Sequence, residues 1–140
     1  LSPLILPVKG VYPDIKPSVW LAPNATVVGD VTMGEHCTVW FNAVIRGDVN
    51  SIKIGNKVNI QDGAVIHGTY QKASTYIGNQ VSIGHNAIVH GCVIHDNVLI
   101  GMGAIVMDNC IIKSNSIIAA GAVVSANTIV EEGSIYAGVP

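Results

Sequence analysis

Three of the five histidines in this 140-residue chain stand next to glycine: Ile66-His67-Gly68, Gly84-His85-Asn86 and Val89-His90-Gly91. Imidazole can serve as a general base, a proton carrier or a metal ligand, and a partner on one ring nitrogen fixes the state of the other. The spacing of seventeen and then four residues between them is by itself a weak match to a ligand set. Ordinary surface imidazoles would produce it too. Two polar strings lie nearby, Arg46-Gly47-Asp48 and Asn59-Ile60-Gln61-Asp62. A solvated strand face with an ion pair worth roughly 0–1 kcal/mol accounts for them equally well. Lys and Glu are the usual choices there, however, whereas Arg, Asn and Gln have defined hydrogen-bond geometry suited to fixing an interface or orienting a substrate. His36 and His95 lie outside this group and are expected at the surface.

The element that must position these residues is a repeat of six. An apolar residue recurs at Leu21, Val27, Met33, Val39 and Ile45, then at Ile54, Ile60 and Ile66, then at Ile77, Ile83 and Val89, and finally from Ile94 every six residues to Val130. Four residues after each large residue lies a mostly small one, for example Ala25, Val31, Cys37, Ala43 and Val49, or Ala104, Cys110, Ser116 and Ala122. A six-residue unit is one short strand and a corner, which cannot bury a face alone and must stack into a solenoid. Three strands per turn make a triangular prism with the large residue inside and the small residue at the corner. Cys37 and Cys110 are then packing residues. The frame breaks at Val49–Ile54, at Thr69–Tyr76 and at Val89–Ile94, where loops leave the scaffold and function concentrates. His67 and His90 each follow an inward residue directly, so they share a phase and point outward on comparable edges. His85 follows by two places and is out of phase. The three do not obviously converge within one chain, and they could share one metal if His85 comes from a neighbouring subunit.

Composition agrees with an all-β chain. Ile and Val total 39 against five Leu, and eleven Asn and fifteen Gly supply residues that tolerate positive φ at turns. The net charge of -2 leaves no basic footprint for nucleic acid. No apolar run approaches the roughly 20 residues of a membrane-spanning helix. Leu1–Gly10 is short, lacks a basic start and contains Pro3 and Pro7, so it does not read as a signal peptide. Three scattered Cys fit reduced thiols, and a cytoplasmic location is expected. Residues 1–140 are expected to form a single domain, with regular coils over about 14–136 and a loop break at about 69–76.

The strings AVIRGD, NIQD, HG and IGHNAIVHGC resemble the gamma-class carbonic anhydrases and their close relatives, over most of the chain. The resemblance implies a left-handed parallel β-helix of hexapeptide repeats. Its hand comes from the resemblance alone, since parallel crossovers are right-handed in roughly 98% of cases. It further implies a homotrimer with metal sites at subunit interfaces. His67 and His90 would be ligands from one subunit and His85 the ligand from its neighbour. Arg46 and Asp48 would form an interface ion pair, and Asn59 and Gln61 would line the site, Gln61 toward water on the metal. Asp62 would be a buried partner holding Arg46. Zn2+ is the implied metal, with Fe2+ or Co2+ also suited to imidazole. Three neutral imidazoles leave such an ion its full charge and an open position, so that water ionises near pH 7 and hydroxide attacks CO2 to give bicarbonate.

Departures from the family pattern bear on activity. Val49 follows Asp48 where an acidic residue is expected, and the loop Gly68–Tyr76 holds no carboxylate, leaving proton release to water, buffer or Tyr70. The family's C-terminal helix and a tyrosine near its site would lie beyond Pro140. Two alternatives stay open. One is a hexapeptide-repeat acyltransferase with a histidine base, or a metal-dependent thioesterase. The other is a non-catalytic trimeric scaffold subunit.

Overall fold

Almost every six-residue unit folds as a strand of two or three residues and a corner, in a computed structural model that describes residues 2–140. The result is the left-handed parallel β-helix of about seven turns. All the large residues of the repeat from Val27 to Val130 are buried along the axis of the prism. Leu21 closes one end partly covered, and Tyr136 the other. Each fully buried Ile or Val is worth roughly 1.5–3 kcal/mol of transfer free energy, so the axial column is the main source of stability. The small set is buried beside it, including Ala25, Cys37, Ala43, Ala104, Cys110, Ser116 and Ala122.

One face of the prism is a seven-stranded parallel sheet that takes one strand from each coil, from Trp20–Leu21 to Ile135–Tyr136. The other two faces join in a twelve-stranded sheet, because Thr26–Met33 and Val44–Ile54 run without interruption through the corner between them. The remaining corners each turn on one residue at positive φ, six places apart within each regular run. His36, Asn42, Lys57, Gly63, Gln80, Asn86, Gly91, Asn97, Gly103, Asn109, Asn115, Gly121, Asn127 and Gly133 occupy these places. Gly and Asn are the residues that adopt this conformation at least cost, which gives the abundance of both a cause.

The three breaks in the frame have three different structures. At the first, Gly29 pairs with Gly47 but Val31 pairs with Ile52, so residues 48–51 bulge outward opposite the single residue Asp30. Val49, expected as a small corner residue, is therefore only half-buried, and Ile52 takes the inward place. The second break is a compact loop closed by a bridge between Thr69 and Ala73. The third shortens a coil, so that Val89 pairs with Val106, seventeen residues on, where the regular coils step by eighteen. The described residues contain no helix, and none is long and apolar enough to cross a membrane.

Candidate functional site

The parallel strands Val65–His67 and Ile88–His90 are neighbours in register, with His90 directly opposite His67. Ile66 and Val89 point to the core, so both imidazoles face outward at the same edge. Their ring centroids lie 5.1 Å apart, and His67 Nδ1 approaches His90 Nε2 to 3.2 Å. Each ring spends its other nitrogen on an aspartate. His67 Nε2 lies 2.8 Å from Asp48 Oδ1, and the Arg46 guanidinium donates to the second oxygen of Asp48. His90 Nδ1 lies 2.5 Å from Asp108 Oδ1, while the Thr69 hydroxyl donates to Oδ2. The bulge at 48–51 brings Asp48 to this edge, and the 69–73 loop brings Thr69.

Burial pushes both aspartates up, but hydrogen bonds from His67 and Arg46 outweigh it at Asp48, and those from Thr69 and His90 at Asp108. Both therefore titrate below the ordinary carboxylate value of 3.8 and are ionised at neutral pH. An ionised carboxylate only accepts, so the ring hydrogens sit on His67 Nε2 and His90 Nδ1. In neutral rings the lone pairs of His67 Nδ1 and His90 Nε2 then lie 3.2 Å apart. Two such lone pairs repel unless a cation lies between them, either a proton or a metal ion. Two nitrogens at zinc-ligand distance in a tetrahedral shell stand about 3.3 Å apart, so the spacing of the pair matches that of two ligands of one metal ion.

His85 lies elsewhere. Its corner, turned by Asn86 at positive φ, stands at the opposite edge of the same face, where Gln61 and Asp62 occupy the corner of the preceding coil. Its Nδ1 lies 3.2 Å from Asp62 Oδ1, and both side chains are about half-exposed. Asn59, Gln61, Asp62, His85 and Trp40 line one shallow pocket of about 300 Å3 there. Asn59 donates to the Thr38 hydroxyl at 2.6 Å. Trp40 packs on Trp20, with ring centroids 4.7 Å apart, and Phe41 lies near both. Asp62 thus faces His85 within the chain, whereas Arg46 pairs with Asp48. Among the described residues no three His, Cys, Asp or Glu side chains converge on one point suited to a metal ion. The residues singled out from the sequence therefore form two half-sites, Arg46/Asp48/His67/His90 on one edge and Asn59/Gln61/Asp62/His85 on the other. His36 and His95 are exposed, away from both.

Asp108 and Thr69 escaped the sequence reading. Asp108 lies eighteen residues after His90, one place past its register partner because that coil is shortened to seventeen, so no regular interval points to it. Nothing in Thr69 beyond its place at the start of a loop marks it.

Fold and edge chemistry together define a class, the parallel β-helix with outward histidines on its edges. A model of the bacterial transferase hexapeptide family (six repeats) matches residues 12–47 and 91–126, together just over half of the chain. The chain belongs to this family. It is similar to the carbonic anhydrase of Geobacillus kaustophilus, at 39% identity over 105 residues, covering 75% of this chain and 57% of that one. It is also similar to the mitochondrial gamma carbonic anhydrase 2 of Arabidopsis thaliana, at 38% identity over 101 residues, covering 69% of this chain and 36% of that one. The chain thus spans less than two thirds of the length of these relatives. A Bacillus cereus crystal structure described as a candidate acetyltransferase superposes with a TM-score of 0.97 at 37% identity, covering 100% of this chain and 81% of that one.

Proposed function

We propose that the chain is a metal-dependent carbonate dehydratase of the gamma carbonic anhydrase type, acting as a cyclic homotrimer. The observation that carries this reading is the approach of two imidazole nitrogens to 3.2 Å, each ring backed by a carboxylate on its other nitrogen. At zinc sites a histidine ligand usually gives its other ring N–H to a carboxylate, which fixes its tautomer and orientation. His67 and His90 would hold Zn2+, with Co2+ or Fe2+ also compatible, and His85 of the adjacent copy would supply the third nitrogen. When bound, such an ion supplies Lewis acidity that brings the ionisation of water toward neutral pH.

The two half-sites lie at opposite edges of one face, which suits a head-to-tail interface that closes into a ring. That face carries an in-register row of apolar side chains, Val44, Val65, Ile88, Ile105 and Val123. Packing of this row would exclude water from the edges. Gln61 and Asn59 would arrive with His85 from the adjacent copy, their amides oriented to hydrogen-bond hydroxide or bicarbonate. Arg46, whose one partner among the described residues is Asp48, has further donors to offer the bicarbonate anion or an acid across the interface. With no carboxylate in the 69–73 loop, proton release would pass to buffer.

The test is metal analysis of purified protein followed by stopped-flow CO2 hydration with and without chelator. Stoichiometric zinc and chelator-sensitive hydration are expected, both lost in His67→Ala. Stoichiometric metal without hydration would refute the enzymatic claim and leave the binding site.

A second reading, acyl transfer, rests on His85. Its Nδ1 faces Asp62, as in an oriented general base, and it opens on an apolar groove of about 370 Å3 floored by Gly84, Gly101, Ala119 and Ala120. Acyl-CoA turnover that survives metal removal, and is lost in His85→Ala but not in His67→Ala, would favour it.

A further inference from the structure

We infer that Asp108, held by Thr69, is a positioning residue that turns His90 so that its Nε2 faces His67. The inference rests on the metal reading above. Its starting point is where the two oxygens of Asp108 go. Along one edge of the prism the side chain just before the positive-φ residue accepts a hydrogen bond from a backbone N–H of the coil before. Asn56 Oδ1 caps Glu35, Asn79 Oδ1 caps Asn56, and Asp96 Oδ1 caps Asn79, each at 2.8 Å. Asp108 likewise stands just before a positive-φ residue, Asn109, but on the edge that carries His67 and His90. Among the described residues it caps no backbone group. Both its oxygens go to side chains, Oδ1 to His90 and Oδ2 to Thr69.

The surroundings are arranged to permit this. Gly91 follows His90 at φ +57, and a Cβ there would lie 2.5 Å from Asp108 Oδ1, so a larger residue would displace the carboxylate. Gly68 follows His67, and a Cβ there would lie 2.5 Å from the Ala73 carbonyl, at the point where the loop closes. The loop then reaches both histidine corners. Thr69 donates to Asp108, while the buried Thr75 hydroxyl donates to the His67 carbonyl at 2.7 Å and accepts from the Gly91 N–H at 3.0 Å. Asn50, on the bulge that carries Asp48, donates to the Thr69 carbonyl at 3.2 Å. Thr69 and Thr75, on either side of the loop, thus tie the two ligand-bearing corners and the Asp48 bulge together.

Orienting contacts of this kind are worth about 10–100-fold in metal affinity. The experiment measures Zn2+ affinity by competition with a chromophoric chelator, and the Co2+ absorption spectrum, in the full chain. Asp108→Ala is expected to weaken binding about 10–100-fold and to alter the Co2+ bands. Thr69→Val is expected to weaken it by less, and Thr69→Ser to restore it. Asp96→Ala, which removes a corner cap, is expected to lower Tm without changing affinity. Wild-type affinity in Asp108→Ala would overturn this inference alone. Absence of Zn2+ and Co2+ binding in the wild type would overturn it together with the metal reading.

Discussion

A histidine is ambiguous until its second nitrogen has a partner, and here Asp48 and Asp108 remove the ambiguity from both sides of the pair. The same contacts make these acids stability elements with a defined pH window. Their carboxyls titrate below 3.8 in the folded chain and near it when unfolded, so the stabilisation is complete above that value and fades as pH falls below it. Asp48→Asn is therefore expected to lower Tm at pH 6, and the gap to wild type is expected to shrink by pH 3. Thermal unfolding at several pH values checks this, and a gap independent of pH would count against ionised Asp48 as the cause. The three cysteines contrast with these acids. Burial pushes the thiols of Cys37, Cys92 and Cys110 up, and hydrogen bonds to backbone offset it only in part. They are packing residues at corners, so a thiol reagent is expected to reach all three in denaturant and none in the folded protein at neutral pH.

At the scale of elements, a single substitution can undo the bulge at 48–51. A Cβ on Gly47 would stand 2.5 Å from the Asp30 carbonyl of the neighbouring coil, and backbone cannot swing aside as a long side chain can. Gly47→Ala is expected to cost about 3 kcal/mol and to pull Asp48 from His67, weakening metal binding along with Tm. The corners offer the opposite case. Lys57 holds φ 57 where many other corners use Asn or Gly, and Lys57→Asn is expected to raise stability by roughly 0.5–1 kcal/mol in urea unfolding. This uneven sensitivity follows what the sequence could reveal. The coils were legible because each corner demands a small residue, a positive-φ residue and an inward aliphatic at a fixed period. The phase of His67 against His90 was legible for the same reason. Asp108 was not, because an Asp before Asn109 looks like the capping residue Asp96 before Asn97, and only the geometry separates the two. Val49 was misplaced because three added residues in a strand leave the hexad pattern intact on either side while moving the inward position to Ile52.

For the molecule as a whole, a charged fraction of 11% and an apolar row on the face between the half-sites point beyond the single chain. One half-site holds two imidazoles and the other holds one, on opposite edges, so in the proposed trimer a copy would complete its neighbour's site and never its own. This asymmetry yields a quantitative expectation. Neither His67→Ala nor His85→Ala trimers contain an intact three-histidine site, so each should bind Zn2+ weakly. Unfolded together in equal amounts and refolded, the two variants form mixed rings. A site is intact only where a His85→Ala subunit, with its imidazole pair, is followed by a His67→Ala subunit, with its His85. Random assembly makes that arrangement at about one interface in four, and no mixed trimer holds more than one such site. Tight Zn2+ binding should therefore return to about one quarter of the wild-type stoichiometry, and CO2 hydration with it. A mixture that recovers nothing, while mass measurement with one variant 15N-labelled shows mixed trimers, would mean that the half-sites do not meet across the interface.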